Sequence, residues 1–193
     1  MNITQPPGAT PLDPDELAGL LPMSISTQGE LNSFEQANIA EAETWALSRR
    51  RKDCLSESFV RELHRRMLAQ VWRWAGTYRT SDKNLGDPWA QIPARIHQLC
   101  GDAQYWIDNS TYAWDELGAR FHHRIVAIHP FANGNGRHGR LITDVLMQSH
   151  DQKLFSWGSD ALGAKGEARE RYLVAMRAAD ARDYAPLIRF VRS

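Results

Sequence analysis

Apolar residues recur along most of this chain at the three- and four-residue spacing of amphipathic helices. From Glu30 the positions Leu31, Phe34, Asn38, Ala42 and Trp45 keep one side of a helix. Polar Asn38 stands in that apolar stripe and is expected to bond a neighbouring backbone. The basic run 49–52 falls where this helix should end, at the negative end of its dipole. Ser56 is placed to cap the next helix, with Glu57 in its first turn and Phe59, Leu63, Met67, Val71 and Trp74 on its apolar side. Ala75-Gly76 breaks the period. Residues 77–93 have no helical period and carry Gly86 and Pro88, which reads as an extended flap or loose hairpin.

Pro93 then opens a helix with Ile96, Leu99, Cys100, Ala103, Trp106 and Ile107 on one face, closed by Asn109-Ser110. Trp114, Leu117, Phe121, Ile125 and Ile128 form a further stripe that runs directly into His129. Leu141, Ile142, Val145 and Leu146 resume the spacing, and residues 167–179 and 184–191 give two more helical segments. Tyr172, Met176, Tyr184 and Leu187 look like core. Short helical signals over 15–21 follow an irregular, Pro- and Thr-rich opening. The chain therefore divides into an N-terminal arm, 1–29, and one mainly α domain, 30–193, with at most a small hairpin.

At 193 residues and 42% hydrophobic composition, a single domain with a substantial core is expected. Formal net charge is zero, which gives no basis for a general affinity for nucleic acid or anionic membrane. No stretch approaches the ~18 consecutive apolar residues of a membrane span, and the opening lacks a signal-peptide core. A cytoplasmic location is the expectation. Cys54 and Cys100 show no metal-ligand spacing, and Cys100 should be a buried free thiol.

Candidate chemistry concentrates in residues 129–140, HPFANGNGRHGR. Gly134-Asn135-Gly136 lead into a helix start, where glycine and asparagine let successive N–H groups converge and the dipole adds positive charge. Arg137 and Arg140, at i and i+3, share one face of that helix and suit phosphate oxygens. His129 sits across the loop, able to accept a proton from an attacking hydroxyl. His122 and His123 have no acidic partner in sequence that would complete a metal set, and His138 is expected to face solvent.

These residues resemble the Fic family, whose signature is His-x-Phe-x-(Asp/Glu)-Gly-Asn-Gly-Arg-x-x-Arg. His129, Phe131, Gly134, Asn135, Gly136, Arg137 and Arg140 match it. Trp74-Ala75-Gly76-Thr77-Tyr78-Arg79 looks like the segment leading into the Fic flap, and the run from Asp183 to Leu187 like the family's last helices. The N-terminal stretches resemble the subgroup called mobile mystery protein B. The resemblance implies a Fic-type helical fold with a small β-hairpin flap. It also implies transfer of AMP from ATP to a target-protein hydroxyl with magnesium, and toxin-like relatives suggest an antitoxin or regulatory partner. By that analogy His129 is the general base and Phe131 anchors the loop. Gly134, Asn135, Gly136, Arg137 and Arg140 hold the nucleotide. Thr80, Ser81, Asp82 and Lys83 line the target-binding flap.

Asn133 occupies the place of the family's acidic, metal-holding residue. It is the candidate magnesium contact, through an uncharged amide oxygen. Asp144 shares a face with both arginines and is expected to pair with Arg140. Family members are often restrained by a glutamate that pairs with the second motif arginine, here Arg140. Glu30 and Glu35 are the candidates. A catalytically weak nucleotide-binding regulator and a kinase resembling Doc are the competing readings.

Overall fold

The computed structural model describes residues 13–22, 24–159 and 165–193. The irregular arm expected over the first twelve residues lies outside them. The helices are α1 (Pro14–Leu17), α2 (Gln28–Leu47), α3 (Glu57–Leu68), α4 (Ile92–Asp108), α5 (Trp114–Ile128), α6 (Asn135–Ser149), α7 (Lys165–Asp180) and α8 (Ala185–Val191).

Helix starts follow from local chemistry. Thr27 caps α2 by accepting from the Glu30 amide, and Glu30 returns its carboxylate to the Ser26 and Thr27 amides. Those bonds hold the Glu30 carboxyl down at about 2. Ser56 caps α3. Arg51 closes the other end of α2, donating to the Trp45 and Ala46 carbonyls with its guanidinium 4.0 Å over the Trp45 ring. The apolar repeat through Val71 and Trp74 predicts a longer α3 than the one formed. Asn38 explains its early stop: Nδ2 donates to the Arg66 carbonyl and Oδ1 accepts from the Gln70 amide. This stripe residue thus bonds backbone as expected, turning the chain out of the helix.

α5 runs through the centre and packs against α4, α6, α7 and α8. Phe121, Ile125 and Ile128 of α5 meet Leu63 and Met67 of α3 and Ile142 and Val145 of α6 in the main core. A smaller core gathers Phe155, Ala175, Leu187 and Phe190 around α7 and α8. Cys54 and Cys100 are buried thiols, and burial pushes both up to about 11.

The flap departs from expectation. No strand ladder forms between residues 77 and 88, and a 3-10 turn, Trp89–Gln91, leads into α4. The buried Arg79 guanidinium instead takes the Ser81 and Asp87 carbonyls, which a hairpin would have offered to the opposite strand. No helix among the described residues is long and apolar enough to cross a membrane.

Candidate active site

His129 ends α5 in a left-handed conformation, φ 54°. A non-glycine residue there carries roughly 1–2 kcal/mol of strain, so neighbouring bonds must hold it. Arg79 does so: its Nε donates to the His129 carbonyl at 2.8 Å and its backbone amide to the Pro130 carbonyl at 3.0 Å. The Asp87 amide bonds Ile128 from the far end of the flap, and the Asp87 carboxylate pairs with Arg124 of α5. Gly86 sits in this clasp at φ +105°, where an added Cβ would lie 2.7 Å from the His129 Cβ. Burial first, then the Arg79 charge, lowers the His129 imidazole to about 4. It is neutral at pH 7, the state that can accept a proton.

After His129 the chain folds into a tight loop. Phe131 is fully buried and stacks on His64 with ring centroids 3.7 Å apart. Asn135 closes the loop on itself: Oδ1 accepts from the Phe131 amide at 2.9 Å, and Nδ2 donates to the Phe131 carbonyl at 2.8 Å. The Asn135 side chain thus shapes the loop, while its backbone amide stays at the start of α6. Gly134 takes φ +79° at the start of α6, with Leu68 and His64 where a Cβ would stand. The amides of Asn135, Gly136 and Arg137 follow, and a helix start leaves them without intrahelical acceptors. An added Cβ at Gly136 would face open space, so a ligand has room to approach the backbone there.

Arg137 pairs with Glu35 of α2 at 2.6 Å, and Trp72 Nε1 donates to the other Glu35 oxygen at 2.6 Å. Glu35, not Glu30, thus reaches the motif, and its partner is the first arginine rather than Arg140. Glu30 is committed to its helix cap. Arg140 is half-buried beside Tyr172 and Asp144. Asp144 accepts from the Phe155 amide and Trp157 Nε1, a correction to the expected Arg140 pair. Burial raises its carboxyl to about 7. His138 is buried as well, its Nε2 bonded to the Val60 carbonyl, because it shares the inward face of α6 with Leu141 and Ile142.

Asn133 Oδ1 accepts from the Gly134 amide at 2.6 Å and lies 3.4 Å from an Arg137 nitrogen. Among the described residues no cluster of three His, Cys, Asp or Glu is placed to hold a metal. An amide oxygen engaged by its own turn, beside a guanidinium, does not fit a magnesium site.

Sequence reasoning did not single out His64. Its Nδ1 accepts from the Gly76 amide, so Nε2 carries the proton and donates to the Asn133 carbonyl. It ties α3, the approach to the flap and the loop together. Its position four residues after Val60 on the apolar side of α3 was the available signal. Of the flap residues, Thr80 and Asp82 are exposed, whereas Ser81 and Lys83 are engaged by α1.

Residues 54–147, which hold the clasp, His64 and the whole loop, match the Fic/DOC family. The chain belongs to the Fic/DOC family. It is similar to "Protein adenylyltransferase fic-1" of Caenorhabditis briggsae, 30% identical over 136 residues, covering 68% of this chain and 25% of that protein. It is also similar to "Protein adenylyltransferase Fic" of Aedes aegypti, 27% identical over 146 residues, covering 73% of this chain and 28% of that one. The chain thus spans about a quarter of the length of these curated relatives. Among solved structures, the N-terminal Fic domain of a putative cell filamentation protein from Bartonella quintana superposes with TM-score 0.70 at 17% identity, covering 88% of this chain and 84% of that one. BepC of Bartonella tribocorum, solved with AMPPNP, gives TM-score 0.67 at 14% identity, covering 92% and 95%. These likenesses establish the Fic fold. The flap clasp and the Glu35–Arg137 pair are features of this Fic domain's own side chains.

Proposed function

We propose that this Fic domain is a protein adenylyltransferase. The observation that carries the reading is a neutral, backbone-clamped His129 beside a loop whose next helix opens with uncapped amides, an open Gly136 and Arg137. The curated relatives bearing that name support it.

In this reaction a target hydroxyl oxygen attacks the α-phosphorus of ATP. A new P–O bond forms to the target, the bond from the α-phosphorus to the bridging oxygen breaks, and pyrophosphate leaves. His129 Nδ1 is the buried ring nitrogen, which leaves Nε2 to take the hydroxyl proton. The amides at the start of α6 and the guanidiniums of Arg137 and Arg140 hold the phosphates. Occupying Arg137 requires it to exchange Glu35 for a phosphate. The flap residues Thr80, Ser81, Asp82 and Lys83 face the target in this reading. A cytoplasmic setting and a regulatory partner of the antitoxin kind go with it, on the resemblance alone.

ATP labelled at the α or the γ position tests the proposal. Label retained only from the α position is expected; retention only from γ would identify a kinase. His129→Ala should reduce transfer about 10²–10⁴-fold, with ATP affinity kept by calorimetry. Transfer at the wild-type rate in that variant would remove His129 from the role of base.

A further inference from the structure

Lys83 lies on the flap, yet its side chain is only 4% exposed. Its ammonium is held by two carboxylates: Asp13, the residue that opens α1, at 2.6 Å and Glu16 of α1 at 2.7 Å. Ser81 adds a hydrogen bond to the same Asp13 oxygen. The carboxylates are themselves locked, since Glu16 also accepts from the Asp13 amide. Trp74 Nε1 donates to the Glu16 carbonyl. Behind α1, Leu20 bridges Trp72, the Arg73 amide bonds the Gly19 carbonyl, and the Leu21 amide bonds the Val71 carbonyl. The arm is thus anchored at 19–21, and its acidic tip is laid over the flap. That tip is close to the reaction centre: Lys83 acts electrostatically on His129, and Glu16 on Arg79.

We propose that α1 is a built-in occupant of the flap's target-facing edge, and that the partner displacing it presents an acidic turn with two carboxylates three residues apart. This rests on the reading of the flap as the target's docking edge and adds the chemistry that edge selects. A buried ammonium cannot be left without counter-charge cheaply. A target bearing paired carboxylates replaces Asp13 and Glu16 one for one. A neutral or basic segment strands Lys83 and is rejected. Because the arm is tethered three residues away, it competes at high effective concentration. Only a segment matching its charge pattern displaces it. The same contact therefore restrains the free enzyme and defines its partner.

The test uses the full chain and a fluorescent synthetic peptide copying residues 11–19, with a control peptide in which the positions of Asp13 and Glu16 carry amides. Asp13→Asn/Glu16→Gln releases the tip but keeps the 19–21 anchor. Gly19→Ala lifts it sterically without changing charge, since an added Cβ would stand 2.7 Å from Trp74. Both variants should bind the acidic peptide at least tenfold more tightly than wild type, by anisotropy. The control peptide should not bind, and adding Lys83→Met should abolish the gain. Equal binding to wild type and both variants, equal binding of the two peptides, or no binding at all would overturn the proposal. Residues 11–19 carry no side-chain hydroxyl, so each peptide ends in an appended serine as acceptor, and incorporation of α-labelled AMP is followed in the same samples. Transfer without peptide binding sinks only this inference. Peptide binding without transfer in any sample sinks the adenylyltransferase reading and leaves the docking site standing.

Discussion

Replacing Gly86 by alanine tests whether the flap positions the catalytic base. The new Cβ would stand 2.7 Å from the His129 Cβ, 2.8 Å from an Arg79 terminal nitrogen and 3.2 Å from the Ile128 carbonyl. Ordinary carbon contacts lie at about 3.5–4.0 Å, so His129 or the flap must shift by roughly 1 Å. Neither near neighbour is the loose end of a side chain: one is a Cβ, and the other is a guanidinium held by three carbonyls. The φ of +105° adds backbone strain of about 1–3 kcal/mol, and overpacking adds a further ~1–3 kcal/mol. At roughly 2–4 °C per kcal/mol for a chain of this size, melting should fall by about 4–24 °C. A displacement of ~1 Å at the base should slow transfer on the order of 10²-fold. ATP affinity should hold, because α6 and its arginines are untouched. Gly101→Ala is the control: its Cβ meets nothing within 4 Å, and α4 gains a better helix former. Incorporation of α-labelled AMP, calorimetry with ATP and thermal melting read the three quantities. If Gly86→Ala transfers and melts like Gly101→Ala, the flap does not position His129.

Other consequences follow from the same contacts. Glu35→Gln keeps an acceptor for Trp72 but removes the charge at Arg137, so ATP should bind about fivefold more tightly, equivalent to ~1 kcal/mol; unchanged affinity by calorimetry would mean Arg137 need not leave Glu35. Asn133→Ala should leave the magnesium midpoint of transfer in place, and a tenfold rise would make its amide a metal ligand after all. Burial holds His122 at about 3 and His129 and His138 at about 4. Below the ordinary imidazole value the unfolded chain therefore binds protons that the folded one refuses, and stability falls with pH. Each histidine should cost about 2 kcal/mol between pH 7 and 5. Asp144, raised to about 7, takes up a proton when folded over the same window and offsets roughly one of them. Urea unfolding should show a net loss of at least ~4 kcal/mol, since buried His64, also held well below its ordinary value, adds in the same direction, and the loss should be larger in Asp144→Asn; equal stability at the two pH values would refute these burials.

Helices were legible because a packed α protein repeats its apolar side locally, and the loop because its glycines and arginines answer one chemical demand within a single turn. Contacts brought together from distant elements were not. Glu35 is a candidate partner for Arg140 by resemblance, but nothing in the sequence directs it to Arg137 or Trp72. Arg79 reads as an ordinary flap residue until the end of α5 is laid beside it. The flap forms without a strand ladder because residues 77–93 carry no strand alternation, and Arg79 captures carbonyls a ladder would need. His138 was misjudged from its arginine neighbours, although its spacing to Leu141 and Ile142 already placed it inward. Asp144 found its partners in 155–157, a stretch without periodicity.

The ring that Asn135 closes on Phe131 has a kinetic consequence. Both backbone groups of Phe131 are satisfied from within the loop, and the Phe131 ring is stacked on a histidine that is itself bonded on both nitrogens. The cradle is thus already ordered before any nucleotide arrives, and little conformational entropy remains to be lost on binding. Arrival rates should then reflect how often Arg137 leaves Glu35 rather than how often the loop folds. Amide exchange at Phe131 and His138, bonded within the loop and the first turn of α6, should accordingly be slow in the free protein and change little when ATP binds, whereas the open amides at 135–137 should slow only with nucleotide bound.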